Sequence, residues 1–161
     1  MSAQHKRLQT LYEAFNARNI ELALSGMHPD VDWANGMEGG IVHGRSGVRD
    51  YWTRQWQLID PRVYPQSFEG DAAEIVVEVH QVVRDLEGKI KSDQSVRRFF
   101  LFEDELVKVF KILYLMTGSG PDVRGGQSPS NFEIRVGANA CVAGFICIFI
   151  VFIIGDKLVF Q

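Results

Sequence analysis

At 161 residues, 46% apolar and 23% charged, the chain has the size and composition of one globular domain with an appendage, which excludes wholesale disorder. Lys+Arg 17 against Asp+Glu 20 gives a net charge of −3, which excludes the basic excess that a nucleic-acid backbone rewards. Two cysteines, Cys141 and Cys147, cannot make a disulfide framework or a four-ligand zinc site, so no metal is expected.

The opening MSAQHKRLQTLYEAF has charges but no apolar run, so no secretory leader is expected and the domain reads as cytoplasmic. Leu8, Leu11, Tyr12 and Phe15 form an amphipathic helical stripe. Ile20 to Met27 reads as a short second helix ended by His28-Pro29-Asp30, because the residue before proline avoids the α region. A brief strand, Val31–Ala34, precedes the loop NGMEGGIVHG, after which Ser46 is placed to cap a third helix that Pro61 ends. Strands follow at 63–68, 74–85, 90–102 and 106–112, joined by hairpins at 85–89 and 103–105. Helices first and antiparallel strands after predict an α+β domain.

The composition changes beyond residue 112. The stretch 113–135 is a Gly/Ser/Pro-rich linker, and 136–161 an apolar tail whose stretch 136–155 carries no charge. That stretch is long enough to span a bilayer as a helix, with Asp156 and Lys157 after it and the folded domain left on the cytoplasmic side. A β-rich segment packed on the domain and a non-homologous extension are the alternatives.

The central hairpin sorts its residues into two faces. With its turn on Glu87-Gly88, Glu78 lies opposite Arg97, His80 opposite Ser95 and Gln81 opposite Gln94. One face then carries Val77, Val79, Gln81, Val83, Gln94, Val96, Arg98 and Phe100, and faces the helices. Its polar members Gln81, Gln94 and Arg98 must find partners or line a cavity. The other face carries Glu78, His80, Arg84 and Arg97 and would serve as a homodimer surface.

The strings LYEAFNARN, HPDVDW, HGRSGVRDYW and IVVEVHQVVRDLEGK resemble the SnoaL-like branch of the nuclear transport factor 2-like superfamily. The resemblance covers about residues 5–112. It implies a conical α+β fold, a curved antiparallel sheet wrapped around helices and enclosing an apolar small-molecule pocket. Cofactor-independent lyase, isomerase or hydrolase chemistry occurs on this fold, and so do non-catalytic binding modules. Aligned with steroid-isomerase-like members, the catalytic positions fall on Leu11, Asn35 and Arg98. These cannot supply a phenol, a basic carboxylate and a neutral acid, so that chemistry is rejected.

The residues left as candidates are His43, Asn35 and Arg98 for catalysis, and Trp33, Asn35, Trp52, Trp56, Gln81, Gln94 and Arg98 for ligand binding. Histidine titrates near neutral pH and three tryptophans suit a flat hydrophobic ligand. Arg98 either pairs with Glu38 or Asp32 or anchors an anionic or carbonyl group. No P-loop, GxSxG, HExxH or CxxC occurs, and no cofactor is expected.

Overall fold

The computed structural model describes residues 2–113 of the chain. Helix α1 (Ala3–Asn16) begins with a reciprocal cap in which the Ser2 hydroxyl accepts from the His5 backbone N–H and the Ser2 N–H reaches His5 Nδ1. Its stripe is buried as expected, with Leu8, Leu11, Tyr12 and Phe15 all inside. Asn19 caps α2 (Ile20–Ser25) by accepting from the Leu22 N–H. The helix stops there because Gly26 takes its carbonyls, so His28-Pro29-Asp30 does not form the expected helix-ending turn. Those residues lie in β1 (Met27–Ala34), where the register shifts between Met27 and Asp32, around a proline with no N–H to give the ladder.

Within the expected glycine-rich loop a short strand forms, β2 (Ile41–His43), pairing Trp33 with Val42. Helix α3 (Gly44–Leu58) starts two residues before the expected Ser46 cap. His43 occupies the cap position without a side-chain bond. Nor does Pro61 end it: Ile59 is already extended and Pro61 belongs to β3 (Asp60–Gly70). Strands β4 (Glu74–Arg84), β5 (Ile90–Glu103) and β6 (Leu106–Leu113) follow nearly as expected.

The sheet order is β2-β1-β6-β5-β4-β3, antiparallel apart from the β1/β6 pair. Strand β3 is an edge, which is where Pro61 and Pro65 cost no interstrand bond. The sheet is curved and unclosed, with the helices on one side. Tyr12, Trp52, Ile75, Val77, Val79, Phe100 and Val107 form the buried centre between them. Among the described residues no helix is long and apolar enough to cross a membrane, and the linker and tail expected at 113–135 and 136–161 lie outside them apart from Leu113.

The C-terminus of α1 is bonded tightly to β3. The Asn16 side chain exchanges hydrogen bonds with both backbone groups of Val63, at 2.7 and 3.0 Å. Arg18 and Arg62 both hold the Asp60 carboxylate, and Arg62 also donates to the Asn16 carbonyl at 2.6 Å. Burial alone would raise the Asp60 carboxyl, but the Arg62 hydrogen bond and the two guanidinium charges outweigh it and hold the group below its ordinary value. The resulting stabilisation is present above the unfolded value, at about pH 4, and is lost as the pH falls through the lowered one. Asp60→Asn is therefore expected to flatten the acid side of the stability–pH curve. An unchanged slope in urea titrations would contradict the clamp.

One glycine is dictated by space as well as by conformation. Gly70 closes the β3–β4 turn at φ +104°, and a Cβ there would sit 2.2 Å from the Glu74 carbonyl oxygen. Backbone cannot move aside as a flexible side chain can. Gly70→Ala is expected to cost about 1–3 kcal/mol in chemical denaturation; a neutral result would mean that the turn re-forms differently.

Candidate functional site

Aromatic side chains from five elements converge on the helix-facing side of the sheet. Trp33 of β1 stacks on Phe110 of β6 with ring centroids 4.1 Å apart and meets Trp52 of α3 edge-on at 5.3 Å. Phe15 of α1 lies 5.0 Å from Trp52 and 5.4 Å from Trp56. Tyr12 meets Phe100 of β5 edge-on at 6.2 Å, and Phe100 lies 5.2 Å from Phe110. The two helices deliver their rings by simple spacing: Trp52 and Trp56 are one turn apart on α3, and Tyr12 and Phe15 share the buried stripe of α1.

The central hairpin brings Arg98 into this cluster. Its register is the expected one, Glu78 with Arg97, His80 with Ser95 and Gln81 with Gln94, so Arg98 shares the inner face with Val77, Val79 and Phe100. The guanidinium carbon sits 5.8 Å from the Tyr12 ring centre and 5.7 Å from that of Phe110. One terminal nitrogen donates to Gln81 Oε1 at 2.5 Å.

Neither expected carboxylate pairs with it. Asp32 lies 2.6 Å from His43 Nδ1, and Glu38 bonds Asn35 and faces Arg54. Among the described residues Arg98 forms no salt bridge.

Three buried polar atoms of the cluster have no hydrogen-bond partner: Tyr12 Oη, Trp56 Nε1 and Arg98 Nε. Burial pushes the Tyr12 phenol up to about 12, against an opposing pull from the Arg98 charge. Tyr51 is also raised to about 12 by burial, although its oxygen accepts from the Gly36 N–H at 3.1 Å and from Gln55 at 3.2 Å. Both phenols thus stay protonated donors at neutral pH.

The structure places the other candidates apart from this cluster. Asn35 is buried, but its carbonyl accepts from the Met37 and Glu38 N–H groups and its amide donates to Glu38, so it braces the loop before β2. His43 has a side chain 74% exposed and pairs with Asp32 across β1 and β2. Gln94 is exposed; among the described residues β6 pairs with β5 only from Arg97 onward, so this part of β5 is an edge. His80 lies on the outer face, 2.6 Å from Asp93. Of the candidates, Trp33, Trp52, Trp56, Gln81 and Arg98 come together.

Tyr12 was absent from the sequence candidates, yet its stripe already put it inside. Alignment on Leu11 drew attention one residue away from the phenol that the helix delivers to Arg98.

A shallow groove of about 330 Å³ between α1 and α2, lined by Lys6, Arg7, Thr10 and Leu22 among others, involves none of the cluster residues. Outside the cluster, His28, Glu103 and Asp104 bring ligand atoms within 4.8 Å of one another. The Lys108 ammonium lies 3.2 Å from His28 Nδ1 and 3.8 Å from Glu103, so a cation already occupies the neighbourhood a metal would need.

Helices at the N-terminus packed on a curved, unclosed sheet, with an aromatic interior between them, define a nuclear transport factor 2-like α+β domain. Residues 8–110 match the family model described as a SnoaL-like domain, and the chain belongs to that family. Among solved structures it is similar to TerC co-crystallised with polyporic acid, at 25% identity and a TM-score of 0.64, covering 70% of this chain and 92% of that one. A protein of unknown function from Burkholderia pseudomallei is similar at 26% identity and a TM-score of 0.64, covering 71% and 92%. A Mycobacterium tuberculosis protein in complex with estradiol-17beta-hemisuccinate shares the fold at 13% identity and a TM-score of 0.62, covering 72% and 96%. No curated protein sequence matches the chain.

Proposed function

We propose that this SnoaL-like domain binds a small, largely hydrophobic molecule among the aromatic rings between its helices and the sheet. The observation that carries the reading is the set of three partnerless polar atoms on Tyr12, Trp56 and Arg98. Each costs about 1–3 kcal/mol when buried without a bond, and a ligand oxygen at any of them would recover part of that. Neighbours of this fold crystallised with polyporic acid and with a steroid ester support the same class of occupant.

The cluster favours binding over proton-abstraction chemistry. Tyr12 and Arg98 are donors at neutral pH, so they can polarise an oxygen, while neither takes a proton from carbon. Oxygen polarisation is the contribution they would make to an isomerase- or lyase-type reaction. A homodimer through the outer face of Glu78, His80, Arg84 and Arg97 belongs to the same proposal, as does a cytoplasmic location.

The test is a screen of hydrophobic small molecules against the full-length protein by thermal stability and intrinsic fluorescence. All three tryptophans of the chain, Trp33, Trp52 and Trp56, are in the cluster, so fluorescence reports on this place alone. Binding to the native state must raise the melting temperature. The expected result is a hit that shifts both signals and is lost in Arg98→Ala. Hits that raise stability without touching tryptophan emission would overturn the site.

A further inference from the structure

A half-buried guanidinium among aromatic rings usually has a carboxylate beside it, since an unpaired charge there is expensive. Arg98 has only a neutral amide oxygen, from Gln81, and its Nε is buried and bonded to nothing. Asp32 and Glu38, the acidic residues the sequence offered, are held elsewhere by His43, Arg54 and Asn35. Across the rings stands Tyr12, whose buried hydroxyl meets no acceptor and feels the Arg98 charge. The cluster therefore holds one uncompensated positive charge and a second inward donor, with no acceptor of opposite charge.

From this we infer that the ligand carries an anionic oxygen, a carboxylate or an acidic enol or phenol on a flat apolar body, and that Arg98 and Tyr12 receive it together. The inference rests on the proposed binding function and narrows it from hydrophobic molecules in general to aromatic organic acids. Phe110 and Trp33, both buried and stacked at 4.1 Å, form the apolar wall beside the guanidinium, which lies over the same Phe110. Gln81 fixes the guanidinium in place by its hydrogen bond, so it acts as a positioning residue. The planar fork of arginine suits a two-oxygen anion better than lysine would.

The experiment compares 2-naphthoate with 2-naphthamide, which share shape and apolar area and differ in charge, by calorimetric titration into the full-length protein. A charge-assisted hydrogen bond to this half-buried guanidinium gives an expected preference of at least tenfold for the acid. That preference is expected to vanish in Arg98→Met, to weaken in Arg98→Lys, and to fall several-fold in Tyr12→Phe. Folding of each variant is checked by its own thermal transition, and Tyr12→Phe removes only a hydroxyl with no partner. Equal binding of acid and amide, or an acid preference that survives in Arg98→Met, would overturn the inference and leave the proposed binding of hydrophobic molecules standing. Binding of neither compound would overturn the pocket reading for flat aromatic bodies, and this inference with it.

Discussion

Replacing Trp52 by alanine is expected to cost about 3–5 kcal/mol, the range for removing a buried large aromatic side chain. The indole is 2% exposed and touches rings from three other positions, with Phe15 at 5.0 Å, Trp33 at 5.3 Å and Trp56 at 5.9 Å. It thus joins α1 to β1 through α3. Neighbouring rings are too rigid to collapse into the vacated space, so the cavity persists and adds to the lost transfer energy. A domain of this size is stable by about 5–15 kcal/mol in total, so the change takes a large share of it. Urea denaturation measures the loss directly. A cost below about 1 kcal/mol would mean that the helices do not meet the sheet through this residue.

The second large effect runs in opposite directions on stability and on binding. Arg98→Met is expected to raise the stability of the ligand-free protein by about 1 kcal/mol while abolishing recognition of an organic acid. Methionine occupies the stem's place against Tyr12 and Phe110 and removes both the unpaired charge and the orphaned Nε. Gln81 loses its donor in the exchange, which limits the gain. Such opposition is the mark of a residue kept for function. Thermal unfolding with and without 2-naphthoate separates the two signs. A destabilised Arg98→Met would instead make Arg98 a packing or structural residue.

The sheet was largely legible because the hairpin obeys strict alternation. Once Glu87-Gly88 is the turn, period two sorts Val77–Val83 against Ser92–Arg98 into the observed pairs, and only the shift at Val83/Arg84 near the tip departs from it. The helical stripe of Leu8, Leu11, Tyr12 and Phe15 was legible for the same kind of reason. What misled was proline. Pro29 and Pro61 read locally as helix stops, yet both lie in strands, one beside a register shift and the other on the sheet's edge. Strand β2 carries no signal of its own, since three residues pair only because Trp33 presents a neighbour.

The site divided along the same line. Gln81 and Arg98 follow from face assignment, which sequence periodicity supplies, and Trp33, Trp52 and Trp56 from the suitability of three indoles for a flat ligand; the structure brings the five together. Asn35 follows from the alignment and His43 from its titration range, and neither signal carries the surroundings: one spends its amide on a loop and the other faces solvent beside Asp32. Gln94 shares the face of Gln81 and Arg98 but lies on β5 before β6 begins to pair with it. Which neighbours cover a strand is a property that alternation does not encode.

The most direct measurement is a proton–nitrogen correlation spectrum of the full-length protein, following the indole N–H signals of Trp33, Trp52 and Trp56 during titration with 2-naphthoate. These are the only three tryptophans of the chain, so the region of the spectrum is unambiguous. The Trp56 indole N–H, buried and without a partner on a half-buried side chain, is the one that a ligand oxygen or ring would move most. The expected result is a saturable shift of Trp56 together with at least one of the other two, absent in Arg98→Met. Binding that leaves all three indole signals in place would show that the ligand sits elsewhere and would contradict the aromatic cluster as the site.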